Sequence, residues 1–112
     1  MSAPLYDVVI PTIGRLNLAP LLSSLLAETG DAVGRVVVVD DRPEGEVTDP
    51  LALRVHDRRV RVHTSGGRGP AAARNVGIRA TNAPWVVFID DDVELWSGWG
   101  EALARDQRLG GA

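Results

Sequence analysis

The chain contains no cysteine and no lysine. The first absence excludes disulfides, thiolate nucleophiles and Cys-ligated zinc, and it fits a cytoplasmic protein. The second means that all 12 basic residues are arginine, so neither a P-loop lysine nor Schiff-base chemistry is available. Histidine is scarce as well. His56 and His63 flank a probable short strand and read as surface or strand-edge residues rather than as a catalytic base or a metal pair. No apolar stretch approaches the ~20 residues of a membrane span. The opening Met1-Ser2-Ala3-Pro4 has no basic region followed by an apolar one, so a secretory signal is not expected. Net charge is −3, and the arginines are dispersed apart from Arg58, Arg59 and Arg61, which argues against a nucleic-acid partner.

What remains is a 112-residue chain with 45% apolar residues, enough for one domain with one core. Its most informative stretch is Trp85-Val86-Val87-Phe88-Ile89 followed by Asp90-Asp91-Asp92. Five large apolar residues in a row predict a strand buried on both faces, with three carboxylates emerging where it stops. Two such charges ~4 Å apart repel by about 4 kcal/mol at an effective dielectric near 20. A hard cation such as Mg²⁺ or Mn²⁺, which prefers oxygen ligands, would turn that repulsion into a binding site for a phosphate. An acidic turn facing solvent is the competing reading.

The rest of the chain supplies a frame. Tyr6 to Ile10 predicts a first strand, ended by Pro11, and Pro11 to Arg15 a loop. Asn17 is placed to cap a helix running to about Thr29, with an apolar stripe of Leu18, Leu21, Leu22, Leu25 and Leu26 and with Gly30 at its end. Arg35 to Asp40 predicts a second buried strand, closed by Asp40-Asp41. Arg42 to Pro50 reads as a surface loop, and Leu51 to Asp57 is ambiguous, a short helix being one reading. Val60 to His63 predicts a third, outer strand. After the flexible Ser65 to Gly69, Pro70 sits at the first position of a helix to about Thr81, with Ala72, Val76 and Ala80 as its packing face and Gly77 permitting close approach. Ser97 is placed to cap a last helix through Arg108. This order predicts an α/β fold with a parallel sheet and right-handed crossovers. With strand order 3-2-1-4, ligands would bind outside the carboxyl ends, where Pro11 to Arg15, Asp40-Asp41 and Asp90 to Asp92 all fall.

Four segments, in order, resemble the signatures of glycosyltransferase family 2: Val8 to Arg15, Val36 to Asp41, Gly69 to Gly77, and Phe88 to Asp92. The resemblance covers nearly the whole chain and implies a GT-A fold, a Rossmann-like parallel sheet flanked by helices, with a donor-binding domain over residues 1–109 and a frayed tail at 110–112. It implies that Pro11, Thr12 and Arg15 hold the nucleotide of a sugar-diphosphate donor, UDP-sugar being the expected one, and Arg68 and the N-terminus of the Pro70 helix would both favour the donor's negative charge. Asp41 would accept from the base, and a carboxylate, which only accepts, suits an imide N–H. Turn capping is the alternative for Asp40 and, less so, for Asp41. The family's Asp-X-Asp motif maps onto Asp90 to Asp92. In extended backbone Asp90 and Asp92 point to one side and Asp91 to the other. Asp92 would then bind the divalent metal (Mn²⁺ or Mg²⁺) at the diphosphate, with Asp90 nearer the ribose or sugar, and Asp91 serving either role if the backbone turns early. Arg74 either pairs with a neighbouring carboxylate or contacts the donor.

Two departures from the family pattern stand out. Ile13-Gly14 replaces the usual aromatic residue and Asn, and only twenty residues follow Asp92. The family's second half carries the acceptor site and the carboxylate that deprotonates the acceptor. Here Glu94, Glu101 and Asp106 are the only later acids, so no catalytic base is assigned and the chain looks truncated before the acceptor half. The resemblance therefore implies a glycosyltransferase acting on an unknown acceptor, weak or inactive in transfer when alone. An open sheet end would favour self-association. The alternatives are a non-catalytic nucleotide-sugar-binding module and, remotely, a haloacid-dehalogenase-like phosphatase with Asp90 as nucleophile and Asp92 as acid/base.

Overall fold

The computed structural model describes residues 3–14, 17–45, 51 and 53–92. Arg15, the acids Glu94, Glu101 and Asp106, and the helix expected from Ser97 to Arg108 lie outside them. The described elements are β1 (Tyr6–Thr12), α1 (Leu18–Thr29), a single 3-10 turn (Gly30–Ala32), β2 (Val33–Asp40), β3 (Val60–Thr64), α2 (Pro70–Arg79) and β4 (Trp85–Phe88). They form a four-stranded sheet in the order β3-β2-β1-β4 with every pairing parallel, so the expected α/β class and strand order both hold.

The sheet is buried from both sides because its central strands carry the apolar runs Val8–Ile10 and Val36–Val39. Alternate residues of the Val36–Val39 run serve opposite faces. Val36 and Val38 join Tyr6, Val8, Ile10 and the α1 leucines Leu18, Leu21, Leu22 and Leu25 in one cluster. Val37 and Val39 join Val9 and Ala73 of α2 in the other. Fully burying each such leucine contributes about 1.5–3 kcal/mol, so the leucine stripe is what fixes α1 against the sheet.

Four details differ from the sequence expectation. β1 runs through Pro11 to Thr12 instead of stopping at Ile10. The carbonyl of Val9 accepts from Ile89 N–H on the β4 side, and Pro11, two residues on, faces that same side beyond the end of β4. Its missing N–H therefore leaves no ladder bond unmade. Second, Leu51 and the residues from Leu53 to Asp57 are not helical. Leu51, Leu53 and Val55 are partly buried against the α1-side cluster, and Arg54 takes a positive φ of 56°, so the segment is irregular.

Third, the α2 packing face is rotated from the expected one. Ala73 and Gly77 are buried, while Val76 and Ala80 are half-buried beside them and Ala72 turns toward an outer groove. A Cβ on Gly77 would collide with Val9 and crowd Val39, so Gly77 does permit the close approach expected of it. Fourth, β4 is not buried on both faces. Trp85 is 40% and Phe88 43% exposed, with only Val86 and Val87 tucked in. As an edge strand β4 has a single described neighbour, and an apolar run alone does not tell an edge strand from a central one.

At the amino end of the sheet, Asp7 is wholly buried in β1. One carboxylate oxygen accepts from Arg35 N–H (2.7 Å), the other from Asn82 N–H (2.8 Å) and Ala83 N–H (3.1 Å). A buried carboxylate is tolerable only when so paired, and this one bolts the start of β2 and the α2–β4 turn to the central strand.

Candidate functional site

Parallel strands deliver their carboxyl ends to one edge, and there Thr12, Asp40-Asp41 and Asp90 to Asp92 meet. Thr12 is the joint between them. Its carbonyl accepts from Asp41 N–H at 2.9 Å, its hydroxyl donates to Asp91 Oδ2 at 2.6 Å, and the hydroxyl oxygen accepts from Gly14 N–H at 2.9 Å. Thr12 and Asp91 are 3% and 7% exposed. Asn17 stands at the cap position of α1 as expected but makes no side-chain capping bond. Its amide reaches the Asp91 carbonyl instead, at 3.5 Å.

The acidic triplet does not continue the strand: the chain turns at Asp91-Asp92, with Asp91 inward on Thr12 and with Asp90 and Asp92 exposed. No group of three His, Cys, Asp or Glu side chains is gathered for a metal among the described residues. The outward carboxylates nonetheless fit Mg²⁺ or Mn²⁺, because such an ion commonly takes one or two protein carboxylates and completes its shell with water and substrate phosphates.

Asp40 and Asp41 have divided roles. Asp40 is gripped by Arg42, Nε to Oδ1 at 2.9 Å and Nη2 to Oδ2 at 2.8 Å, with Arg42 N–H on Oδ1 at 3.1 Å. These bonds, the side-chain ones foremost, hold its carboxyl below the ordinary carboxylate value. Asp40 thus caps the turn that follows β2. Asp41 reaches across to the glycine-rich loop, accepting from Ser65 Oγ at 2.6 Å and Arg68 N–H at 3.0 Å on one oxygen, and from Gly69 N–H at 3.0 Å on the other. Ser65 N–H in turn donates to the Asp40 carbonyl. With about four acceptor sites on a carboxylate, Asp41 retains capacity for a further donor.

Pro11 is half-buried in the last turn of β1, and Ile13 beyond it is 58% exposed. The Arg68 side chain lines a cavity of about 370 Å³ with Glu44, Ser65, Asn75 and Arg79. Arg74 is exposed and makes no ion pair among the described residues. Both histidines are exposed and stand apart from the acidic triplet: His63 on the edge strand β3, His56 at a second cavity, of about 630 Å³, by the amino ends of the strands.

Sequence reasoning missed Ser65 and Asp7, and it missed the hydroxyl bond of Thr12. For Asp7 a signal was present, a lone carboxylate within an apolar strand. For Ser65 the only hint was a hydroxyl opening a glycine loop.

Strand ends that gather carboxylates and a glycine-rich loop at one edge of a parallel sheet flanked by helices define a Rossmann-like type of α/β protein. Residues 7–108 match the profile of glycosyl transferase family 2, and the chain belongs to that family. It is 32% identical over 109 residues to an uncharacterised glycosyltransferase, EpsJ, of Bacillus subtilis, covering 92% of this chain and 30% of that protein. It is 39% identical over 69 residues to the pre-mycofactocin glycosyltransferase of Mycobacterium tuberculosis (62% of this chain, 15% of that one). An uncharacterised glycosyltransferase of Rickettsia felis is 30% identical over 87 residues, 77% of this chain and 14% of its own length. The chain therefore spans less than a third of each of these relatives. No helix among the described residues is long and apolar enough to cross a membrane.

Proposed function

We propose that this chain binds a nucleoside diphosphate sugar, with UDP as its nucleotide, across the carboxyl ends of β1, β2 and β4 for glycosyl transfer in the cytoplasm. The observation that carries the reading is the Thr12 joint, which brings Asp41 and the acidic triplet to one edge beside the glycine-rich loop. Pro11, Thr12, Arg15 and Asp41 line the nucleotide pocket, and Arg68 at the mouth of α2 favours the donor's negative charge. Ile13 offers the base an exposed apolar contact where family members commonly have an aromatic one. Asp92 holds a divalent metal, and Asp90 faces the ribose or the sugar. When bound, the metal offsets charge that develops on the departing diphosphate.

Transfer to an acceptor is assigned to parts of a longer enzyme, because no base is identified and the matched relatives are several times longer. A general base typically contributes about 10²–10⁴-fold, so the isolated chain binds donor far better than it transfers sugar. Exposed Trp85 and Phe88 on the open β4 edge favour self-association of that isolated chain.

Titration calorimetry with UDP tests the reading directly. Binding that needs Mn²⁺ or Mg²⁺, and is lost in EDTA and in Asp92→Ala, supports it. Equal affinity in EDTA, or an Asp92→Ala variant with unchanged metal dependence, removes the metal assignment.

A further inference from the structure

We infer that Thr12 and Asp91 are a coupling pair, positioning residues through which a nucleotide on the first loop and a metal on the acidic triplet each raise the other's affinity. The inference rests on the donor-binding reading above and adds a linkage to it. Thr12 and Asp91 lie 79 residues apart in sequence, yet they share a buried 2.6 Å hydroxyl–carboxylate bond. A hydrogen bond to an ionised acceptor at that length is of the strong, charge-assisted kind, and burial shields it from competing water.

The hydroxyl is fully determined. Its one proton goes to Asp91, and a lone pair takes Gly14 N–H. Threonine's branched Cβ further restricts the torsion that aims it. The carbonyl of the same residue holds Asp41 N–H. A single residue thus fixes Asp41, assigned to the base, and Asp91, whose inward anchoring makes Asp90 and Asp92 project outward. Neither Thr12 nor Asp91 needs to touch the metal to matter. Ordering the loop with a nucleotide lowers the cost of ordering the triplet for a metal, and linkage makes the effect reciprocal.

The readout is a ratio, UDP affinity with Mn²⁺ over UDP affinity without it, by calorimetry on the full chain. Complexation of Mn²⁺ by UDP in solution is common to all variants and cancels. Coupled sites typically enhance one another by about 5–150-fold, and we expect the wild-type ratio in that range. Thr12→Val replaces only the hydroxyl and is expected to cut the ratio at least about fivefold, leaving the part that direct metal–diphosphate contact supplies, whereas Thr12→Ser keeps it near wild type. A merely structural role would weaken both affinities together and leave the ratio alone. A wild-type ratio in Thr12→Val, or a collapsed ratio in Thr12→Ser, overturns the inference while leaving the donor-binding reading standing. If Thr12→Val does not fold by circular dichroism, Asp91→Asn replaces it. The amide oxygen still accepts but without charge, so the ratio should fall partway, and an unchanged ratio overturns the inference. A wild-type chain that binds UDP equally with and without Mn²⁺ overturns the metal reading and this inference together.

Discussion

The two ends of the sheet each bury a carboxylate, and they do so in opposite ways. At the amino end, Asp7 takes three backbone N–H groups on its two oxygens and has no side-chain partner among its bonds. At the carboxyl end, Asp91 is held by a side-chain hydroxyl, and its neighbours Asp90 and Asp92 are left facing outward. A carboxylate wholly buried and satisfied by backbone amides alone, as Asp7 is, is spent on the fold. One held by a hydroxyl, with further carboxylates beside it, keeps negative charge in reserve for a ligand. The same residue type serves stability at one end and, on the reading proposed above, binding at the other.

Substitutions can break that contrast. The largest effect is expected from Asp7→Ala. It strands three part-buried N–H groups at about 1 kcal/mol each, the low end for an unsatisfied group, so urea unfolding should show a loss of about 3 kcal/mol. UDP affinity of the folded protein should stay within about threefold, and a tenfold drop would show that the ends are not independent. Next comes Asp41→Ala at the carboxyl end. Losing a hydrogen bond to a charged group costs about 1.5–3 kcal/mol, so UDP affinity should fall roughly ten- to a hundredfold. Wild-type affinity, together with an unaltered preference among UDP, GDP and CDP, would remove Asp41 from base recognition.

A smaller change is expected from Gly34→Ala. The new Cβ would sit 2.5 Å from Asp7 Oδ1 and 3.1 Å from Pro4 Cβ. Crowding of this kind destabilises by about 1–3 kcal/mol, and the nearer atom, Asp7 Oδ1, is held by Arg35 N–H. Chemical denaturation reads this, and a gain in stability would show that Asp7 is less tightly held than its bonds indicate.

The smallest effect is electrostatic. Arg59 hydrogen-bonds Asp57 through its side chain and holds that carboxyl down at about 2, against 3.8 ordinarily. A lowered folded-state value means the contribution is present above about pH 4 and is lost as pH falls toward about 2. Asp57→Asn should therefore flatten the acid side of the thermal-stability profile slightly, the pair being partly exposed and screened. Asp40 with Arg42 contributes in the same direction at the other end.

Much of this was legible in the residues. The alternation of strands and helices led to the strand order, because uninterrupted valine runs demand central strands and the Val60 segment does not. Proline at the start of α2 and the leucine stripe of α1 placed both helices. The α2 register was not legible, since Ala71-Ala72-Ala73 and Gly77 offer no hydrophobic contrast by which periodicity could choose a face. Exposure of Trp85 and Phe88 was hidden because an apolar run states what could be buried, not what covers it. Asp90 to Asp92 and Asp41 could be singled out as chemistry-bearing. The bonds that Asp41 accepts from Arg68 and Gly69 come from backbone N–H groups, which every residue carries and no sequence displays.

The pairing of β1 with β4 also sets a schedule. Of the described strands β1 is made earliest, and it holds β2 on one side at short separation. Its other side waits for residues about 80 positions later. Long-range parallel pairing is slow because the chain entropy of closing the loop comes before the reward. A nascent chain can thus form the α1-side cluster early, whereas the acidic triplet docks onto Thr12 only after β4 has emerged. The proposed donor site is then completed at the end of synthesis of this region, and an interrupted chain would keep much of the hydrophobic frame while lacking the Thr12–Asp91 joint.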